Sequence, residues 1–243
     1  MLPKYDLNGK RALITGAGGG IGRALALRLA EDGMKLALVG RDYQKLVQTA
    51  ALTGRPLDML VLPGDLTQDR AVDAILHILK GHFKGLDVLV NNAGMALNRS
   101  FEETTLEEYD RIMDINARVP FRLCQRTLPL LRQSDCPTII NIGSVVSHKG
   151  YAQQSAYAAS KHALLGMTRA MAKELAPEGI RVHLLAPGGV YTDMVKIARP
   201  DLSPDGMIMP EEIAEVAAFL LEHRTNGVID EIQIHRAVKE PFL

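Results

Sequence analysis

The stretch Lys10–Gly22, KRALITGAGGGIG, decides the fold. Lys10–Thr15 is a short run carrying Leu13 and Ile14 and is expected as a first strand. Gly16, Gly18, Gly19, Gly20 and Gly22 follow, and a helix is expected from about 23 to 32. A glycine-rich turn between the first strand and first helix is where a doubly wound sheet binds a dinucleotide. Glycine allows the sharp turn and lets a pyrophosphate approach the backbone. The helix N-terminus adds free N–H groups and the positive end of its dipole. The spacing is G-x-x-x-G-x-G, not the common G-x-G-x-x-G, and it lacks the Lys-Ser/Thr ending of a P-loop, which argues against a nucleotide triphosphatase. A tight turn with no ligand would carry the same glycines, so the turn alone is a weak signal.

The pattern repeats outward from this turn. Further strands are expected at Lys35–Val39, Asp58–Leu62, Leu86–Val90, Thr138–Ile142, Ile180–Leu185 and Val228–Ile234. Helices are expected at about 42–52, 67–80, 105–133, 155–176 and 211–222. Val72, Ile75, Leu76 and Leu79 share one side at helical spacing. Leu86–Val90 is almost wholly apolar, as a parallel strand buried on both faces requires. Thr105 and Glu108 read as a capping box, and Pro120 and Pro129 should bend or interrupt the helix that follows. This alternation predicts an α/β protein: a doubly wound, Rossmann-like, seven-stranded parallel sheet with helices on both faces. No linker, repeat or low-complexity stretch divides residues 1–243, so one domain is expected.

Lys and Arg total 28, as do Asp and Glu. With zero formal net charge, no long-range attraction to nucleic acid or an anionic membrane is expected. Cys124 and Cys136 are too few for an extracellular disulfide framework and read as reduced thiols. The start, MLPKYDLNGKRALITG, lacks the apolar core of a secretory signal. No run reaches the roughly 18 apolar residues that span a bilayer. The expectation is a soluble, cytoplasmic protein with a small-molecule ligand. No histidine has metal-ligand spacing with a cysteine or acid, so no metal is expected.

The end of the second strand bears on the cofactor. NAD sites of this fold usually place an acid there for the ribose 2′-hydroxyl. Here the chain reads Val39-Gly40-Arg41-Asp42. Gly40 stands where the acid would be, and the Arg41 guanidinium suits a 2′-phosphate. NADP(H) is therefore preferred; an Arg41 that is only a solvated surface charge would leave NAD(H) possible. Asp42 reads as the N-cap of the next helix.

Tyr157 and Lys161 lie four apart on an expected helix, on one face. A nearby ammonium stabilises a phenolate, and such a pair can pass a proton to a reacting oxygen. Alone, the pair would be unremarkable. It occurs with TGAGGGIG at 15–22, GDL at 64–66, NNAG at 91–94, Asn116 in DINA, Ser144 in NIGSVVS, YAASK at 157–161 and PGGVYT at 187–192. On these motifs the chain resembles the short-chain dehydrogenase/reductase family from about Asn8 to about Leu221. It looks most like the family's 3-oxoacyl-acyl-carrier-protein reductases and carbonyl reductases.

The resemblance implies a catalytic set of Asn116, Ser144, Tyr157 and Lys161. Tyr157 would be the general acid/base. Lys161 would bind the nicotinamide ribose and depress the Tyr157 pKa. Ser144 would hold the substrate oxygen, and Asn116 would join a water-linked proton relay through Lys161. For the cofactor, Gly16, Gly18, Gly19, Gly20, Ile21 and Gly22 would form the turn and Arg41 would mark the 2′ position. Asp65 and Leu66 would border the adenine, and Asn92, Ala93 and Gly94 would line the middle. Pro187, Gly188, Val190 and Thr192 would hold the nicotinamide end. Hydride attack on a carbonyl leaves charge on oxygen, which Ser144 and Tyr157 would meet with hydrogen bonds.

Some features depart from the family pattern. The segment after PGGVYT is short, which predicts a reduced lid and an open pocket. Tyr191, Met194, Val195, Ile197, Met207, Ile208 and Met209 suggest an apolar lining for an apolar or extended carbonyl substrate, with ordinary core packing as the alternative. The end, Val228–Arg236, replaces an Asp-Gly-Gly run of the last strand, so a homodimer through the long helices is expected and a tetramer is left open. Arg126, Arg132, Arg169 and Lys173 are either a patch for an acidic carrier protein or solvated helix faces. Two other readings stand beside the reductase: an NAD(P)-dependent alcohol or hydroxysteroid dehydrogenase working oxidatively, and a non-catalytic dinucleotide-binding sensor.

Overall fold

The computed structural model describes residues 4–198 and 203–239, without the side chains of Met194, Ile197 and Ala198. Seven strands form one parallel sheet: β1 (Arg11–Thr15), β2 (Lys35–Gly40), β3 (Met59–Pro63), β4 (Val88–Asn91), β5 (Thr138–Ile142), β6 (Arg181–Pro187) and β7 (Glu231–Ile234). Their order is β3-β2-β1-β4-β5-β6-β7. The order reverses between β1 and β4, the switch point at which such sheets open a crevice.

Side chains alternate across each strand. Ala12 and Ile14 of β1 pack with α1 (Gly20–Glu31), α2 (Tyr43–Leu52) and α8 (Pro210–Glu222). Leu13 between them faces the opposite layer of α3 (Asp69–Phe83), α5 (Val119–Leu131) and the end of α6 (Ser155–Leu175). Both faces are thus covered, which is why the strands read as apolar runs. Asp42 caps α2 by accepting from the Lys45 N–H at 3.1 Å, as expected.

The long helix expected over 105–133 is broken. It forms α4 (Leu106–Met113), a π-helical turn at Asp114–Arg118, and α5. The Thr105–Glu108 capping box opens α4. Pro120 has no N–H for the Asn116 carbonyl four residues earlier, and the ladder widens here, with the Val119 N–H reaching the Asp114 carbonyl. Pro129 sits in the last turn of α5 without breaking it. The last strand begins at Glu231 rather than Val228, and just ahead of it the His183 ring, at 2.6 Å, takes the Ile229 carbonyl. A short helix, α7 (Asp193–Ala198), was not expected. Among the described residues no helix is long and apolar enough to cross a membrane.

At the amino-terminal edge of the sheet, buried Asp87 accepts from the Arg11 N–H (2.7 Å), Nε (2.8 Å) and Nη2 (2.9 Å) and from Ser134 Oγ (2.6 Å). Burial alone would raise its pKa, but these donors outweigh it and hold the carboxyl below its ordinary value. Asp135 and Cys136 lie alongside, and Asp135 pairs with Lys10 at 2.7 Å. With both carboxylates engaged by cations, this cluster is an ion-pair network that ties β1 to β4. Asp87→Ala would leave Arg11 partly buried and unpaired, with an expected loss of about 3–5 kcal/mol. The Asp87 contribution is present above the ordinary carboxylate pKa and fades as pH falls through its lower folded value, so the variant should show a flatter acid limb. Urea unfolding between pH 3 and pH 7 checks this; an unchanged midpoint would show that the network carries no stability.

Candidate active site

The carboxyl ends of β1 and β4 open into a groove. Its outer part is a cavity of about 1200 Å³. A second cavity of about 410 Å³ leads inward, and both are walled by Gly16, Gly18, Gly19, Ala93 and Gly94. The combined groove exceeds the usual small-molecule pocket and suits an extended ligand. Gly16 has φ +68°, and a Cβ there would lie 2.8 Å from Asn92 Nδ2. Arg41, Asp65 and Leu66 line the outer part. The Asp65 carboxyl is held below its ordinary value, first by the Thr67 N–H and then by the Thr67 hydroxyl and Arg41.

The inner part gathers Gly20, Ile21, Asn92, Ser144, Tyr157 and Lys161, together with Pro187, Gly188, Val190 and Thr192. Two expected residues do not line the groove. Gly22 lies behind it, packed on the Gly16 carbonyl, where any Cβ would collide. Asn116 lies behind Gly94: its Oδ1 accepts from the Met95 N–H (2.9 Å), and its Nδ2 donates to the Met95 carbonyl (2.8 Å) and Ser160 Oγ (3.0 Å).

Ser144 stands at the end of β5, fixed as the cap of a short 3₁₀ turn, where its Oγ accepts from the Val146 N–H at 3.2 Å. Tyr157 and Lys161 come from the first turns of α6, one helical turn apart. Burial pushes the Tyr157 phenol above its ordinary value, and its hydrogen bond with Ser144 works against that rise. The spacing had suggested the opposite, a phenol depressed by Lys161. The reason is geometric: Lys161 Nζ lies 5.9 Å from the centre of the Tyr157 ring and donates instead to the Ile142 carbonyl at 2.9 Å. Lys161 is itself buried, which lowers its pKa from 10.5 to about 8.

Several groove residues escaped the sequence reading. Lys45 packs over Gly18, where a Cβ would meet its own Cβ at 3.1 Å, and it lines both cavities with Arg41. Its place in the first turn after Arg41 was the available signal. Arg111, Asp114 and Arg118 form the facing outer wall, and Met95, Asp193 and Val195 border the inner part.

Other expectations are corrected. Of the proposed apolar lining, Met207 and Ile208 are buried, with Ile208 in the core against the α1 layer, and Met209 precedes α8. Among the described side chains of that set only Val195 lines the groove; those of Met194 and Ile197 lie outside the described residues, as does part of the expected lid, 199–202. The basic patch is largely paired: Arg126 with Asp73, Arg132 with Glu178, and Arg169 with Glu231. His162 is exposed, with its Nδ1 on the Ala158 carbonyl at 2.9 Å, as a surface role requires.

A doubly wound sheet with this groove defines a dinucleotide-binding class of fold. The short chain dehydrogenase family matches residues 10–203. An uncharacterized oxidoreductase of Staphylococcus aureus (strain MW2) is 32% identical over 94% of this chain and 97% of its own. Among solved structures, levodione reductase is 31% identical with a TM-score of 0.86, covering 94% of this chain and 96% of that one. A 3-ketoacyl-(acyl-carrier-protein) reductase from Brucella melitensis, complexed with NADH, is 30% identical with a TM-score of 0.84, covering 94% and 97%. The chain belongs to the short chain dehydrogenase family and is an oxidoreductase of that family.

Lys161→Met is expected to abolish turnover and to change the pH dependence of stability. The folded pKa of about 8 lies below the ordinary 10.5, so across that window the unfolded chain holds a proton that the folded chain has released. Wild-type stability should therefore rise relative to the variant from pH 8 to pH 10.5, by on the order of 3 kcal/mol. Urea midpoints of both chains at pH 7 and pH 10 check this, and parallel midpoints would mean that Lys161 is solvated.

Proposed function

We propose that the chain is an NADP(H)-dependent reductase of small ketones. The observation that carries this reading is the convergence of Ser144, Tyr157 and Lys161 at the inner end of a groove whose outer wall presents Arg41. The groove fits a dinucleotide: Gly16 and Gly18 admit close approach to the turn, and the start of α1 offers N–H donors to a pyrophosphate. A bound nicotinamide would supply or accept the hydride. Arg41, with Lys45 beside it, would meet a ribose 2′-phosphate, and Asp65 and Leu66 would border the adenine.

In this reading Ser144 and Tyr157 donate hydrogen bonds to the carbonyl oxygen as charge grows there, and Tyr157 gives up its proton. The raised Tyr157 pKa keeps the phenol protonated at neutral pH, the form that reduction consumes. Lys161 holds the ribose hydroxyls and returns a proton toward Tyr157. Asn116 acts as a positioning residue through Met95 and Ser160. Because its amide is occupied, a relay through Asn116 would use its main-chain carbonyl, which Pro120 leaves without an α-helical partner.

The names of the neighbouring structures support a carbonyl substrate. The paired state of Arg126, Arg132 and Arg169 speaks against a dedicated carrier-protein surface, which is why a free ketone is preferred to an acyl-carrier thioester. A homodimer is part of the proposal, supported by the apolar surface at Leu106, Tyr109 and Phe121 on α4 and α5.

The test is NADPH and NADH oxidation with ketones, 3-oxoacyl thioesters, quinones and sugars. Tyr157→Phe is expected to cut kcat by roughly 10²–10⁴-fold. Arg41→Gln should raise KM for NADPH about tenfold or more and leave NADH unchanged. Equal use of both cofactors by the wild type would remove the Arg41 assignment. Faster alcohol oxidation than ketone reduction at neutral pH would favour the oxidative dehydrogenase.

A further inference from the structure

We infer that Arg23 and Thr49, which lie behind the glycine turn, are positioning residues for the dinucleotide: they pin the carbonyls of the turn away from the groove so that its N–H groups face the pyrophosphate. The inference rests on the dinucleotide reading above and says which residues outside the groove hold its pyrophosphate end in shape.

The successive carbonyls of the turn are each taken by a donor. Asn92 Nδ2 donates to the carbonyls of Thr15 at 2.9 Å and Gly16 at 3.4 Å. Thr49 Oγ1, fully buried on α2, lies 3.0 Å from the Ala17 carbonyl. Arg23 Nη2 donates to the Gly18 carbonyl at 2.7 Å. The Gly19 carbonyl accepts the Arg23 N–H at 3.2 Å, the first bond of α1. Arg23 is locked in place by further bonds, from Nε to Thr49 Oγ1 at 3.1 Å and from Nη2 to Gln48 Oε1 at 3.0 Å.

The consequence follows from the trans peptide, whose C=O and N–H point in opposite directions. There are no cis peptides among the described residues. With the Ala17 carbonyl turned back to Thr49, the Gly18 N–H is aimed forward. With the Gly18 carbonyl turned back to Arg23, the Gly19 N–H is aimed forward. Both glycines line the two cavities. Glycine allows many backbone conformations, so a turn built from Gly18-Gly19-Gly20 needs something outside it to select one. Left alone, either peptide could flip and present a carbonyl to a phosphate, which would repel it. The competing role for Thr49 is a local bond to the Lys45 carbonyl one turn back, also 3.0 Å away. That bond would stabilise α2 and do nothing for the ligand.

The two roles separate by experiment. Thr49→Val keeps the shape and removes the hydroxyl, Thr49→Ser restores it, and Arg23→Lys keeps the charge and loses the fork. Binding of NADPH and NADH is measured for each by fluorescence titration, with kcat at saturating dinucleotide and Tm alongside. The pyrophosphate is common to both dinucleotides, so Thr49→Val and Arg23→Lys should weaken both by the same factor, about tenfold. kcat at saturation should stay unchanged, and Thr49→Ser should recover binding. Wild-type affinity in Thr49→Val, or a loss confined to NADPH, would overturn the inference. So would a fall in Tm with binding intact, which is the signature of the α2 role. A wild-type chain that binds neither dinucleotide would remove the reading of the groove itself, whereas wild-type binding with unaffected variants would remove only the role of Arg23 and Thr49.

Discussion

Position 22 admits nothing larger than hydrogen, because a Cβ there would collide with the Gly16 carbonyl oxygen and lie 2.6 Å from Asn92 Nδ2. Three elements meet at this point: the end of β1, the start of α1 and the residue that follows β4. The close approach lets α1 begin almost on top of the strand that feeds it, which brings its free N–H groups to the mouth of the groove. It also places Asn92 where its amide reaches the carbonyls of β1. A helix standing off by one methyl group would break both relations together.

From that junction, order passes along the sheet toward the chemistry. Thr15 Oγ1 accepts from the N–H groups of Asn92 and Ala93, each at 2.9 Å, so the end of β1 fixes the chain leaving β4. Met95 is then gripped by Asn116, and Asn116 reaches Ser160 on α6, the residue before Lys161. Lys161 closes the path by donating to Ile142 at the end of β5. The outer and inner parts of the groove are therefore joined through hydrogen bonds that run from the end of β1 to the residues after β4, on to Asn116 and α6, and back to the end of β5. Parallel strands make this possible, since all of their carboxyl ends lie on one edge.

The sequence carried the fold where periodicity and turn chemistry agreed. β5 lies on its expected residues, Asp42 caps α2, and Val72, Ile75, Leu76 and Leu79 are buried on α3. It misled where a tertiary partner decided the outcome. The helical pattern over 105–133 has no mark of a π turn except Pro120, and nothing in the pattern reports that Asn116 within the turn is held by Met95 and Ser160. Met207 and Ile208 looked like pocket lining because composition records hydrophobicity but not facing. In the site, the groove residues were legible as motifs, whereas Lys45, Arg23 and Thr49 act through a fold that brings α1 and α2 against one turn. No spacing rule reports that contact.

The inner end of the groove also shows what burial does to a tyrosine–lysine pair. Desolvation disfavours the charged form of each group, so it raises the phenol and lowers the ammonium. In the proposed reduction the two shifts would work in the same direction. Tyr157 stays a neutral acid at physiological pH, and Lys161, at about 8, releases and regains its proton far more readily than a surface lysine. A solvated pair at the same spacing would give a lysine that never titrates near neutrality. The fold bears the cost of burying Lys161, limited by its bond to the Ile142 carbonyl, and this burial is what lowers its pKa toward neutrality.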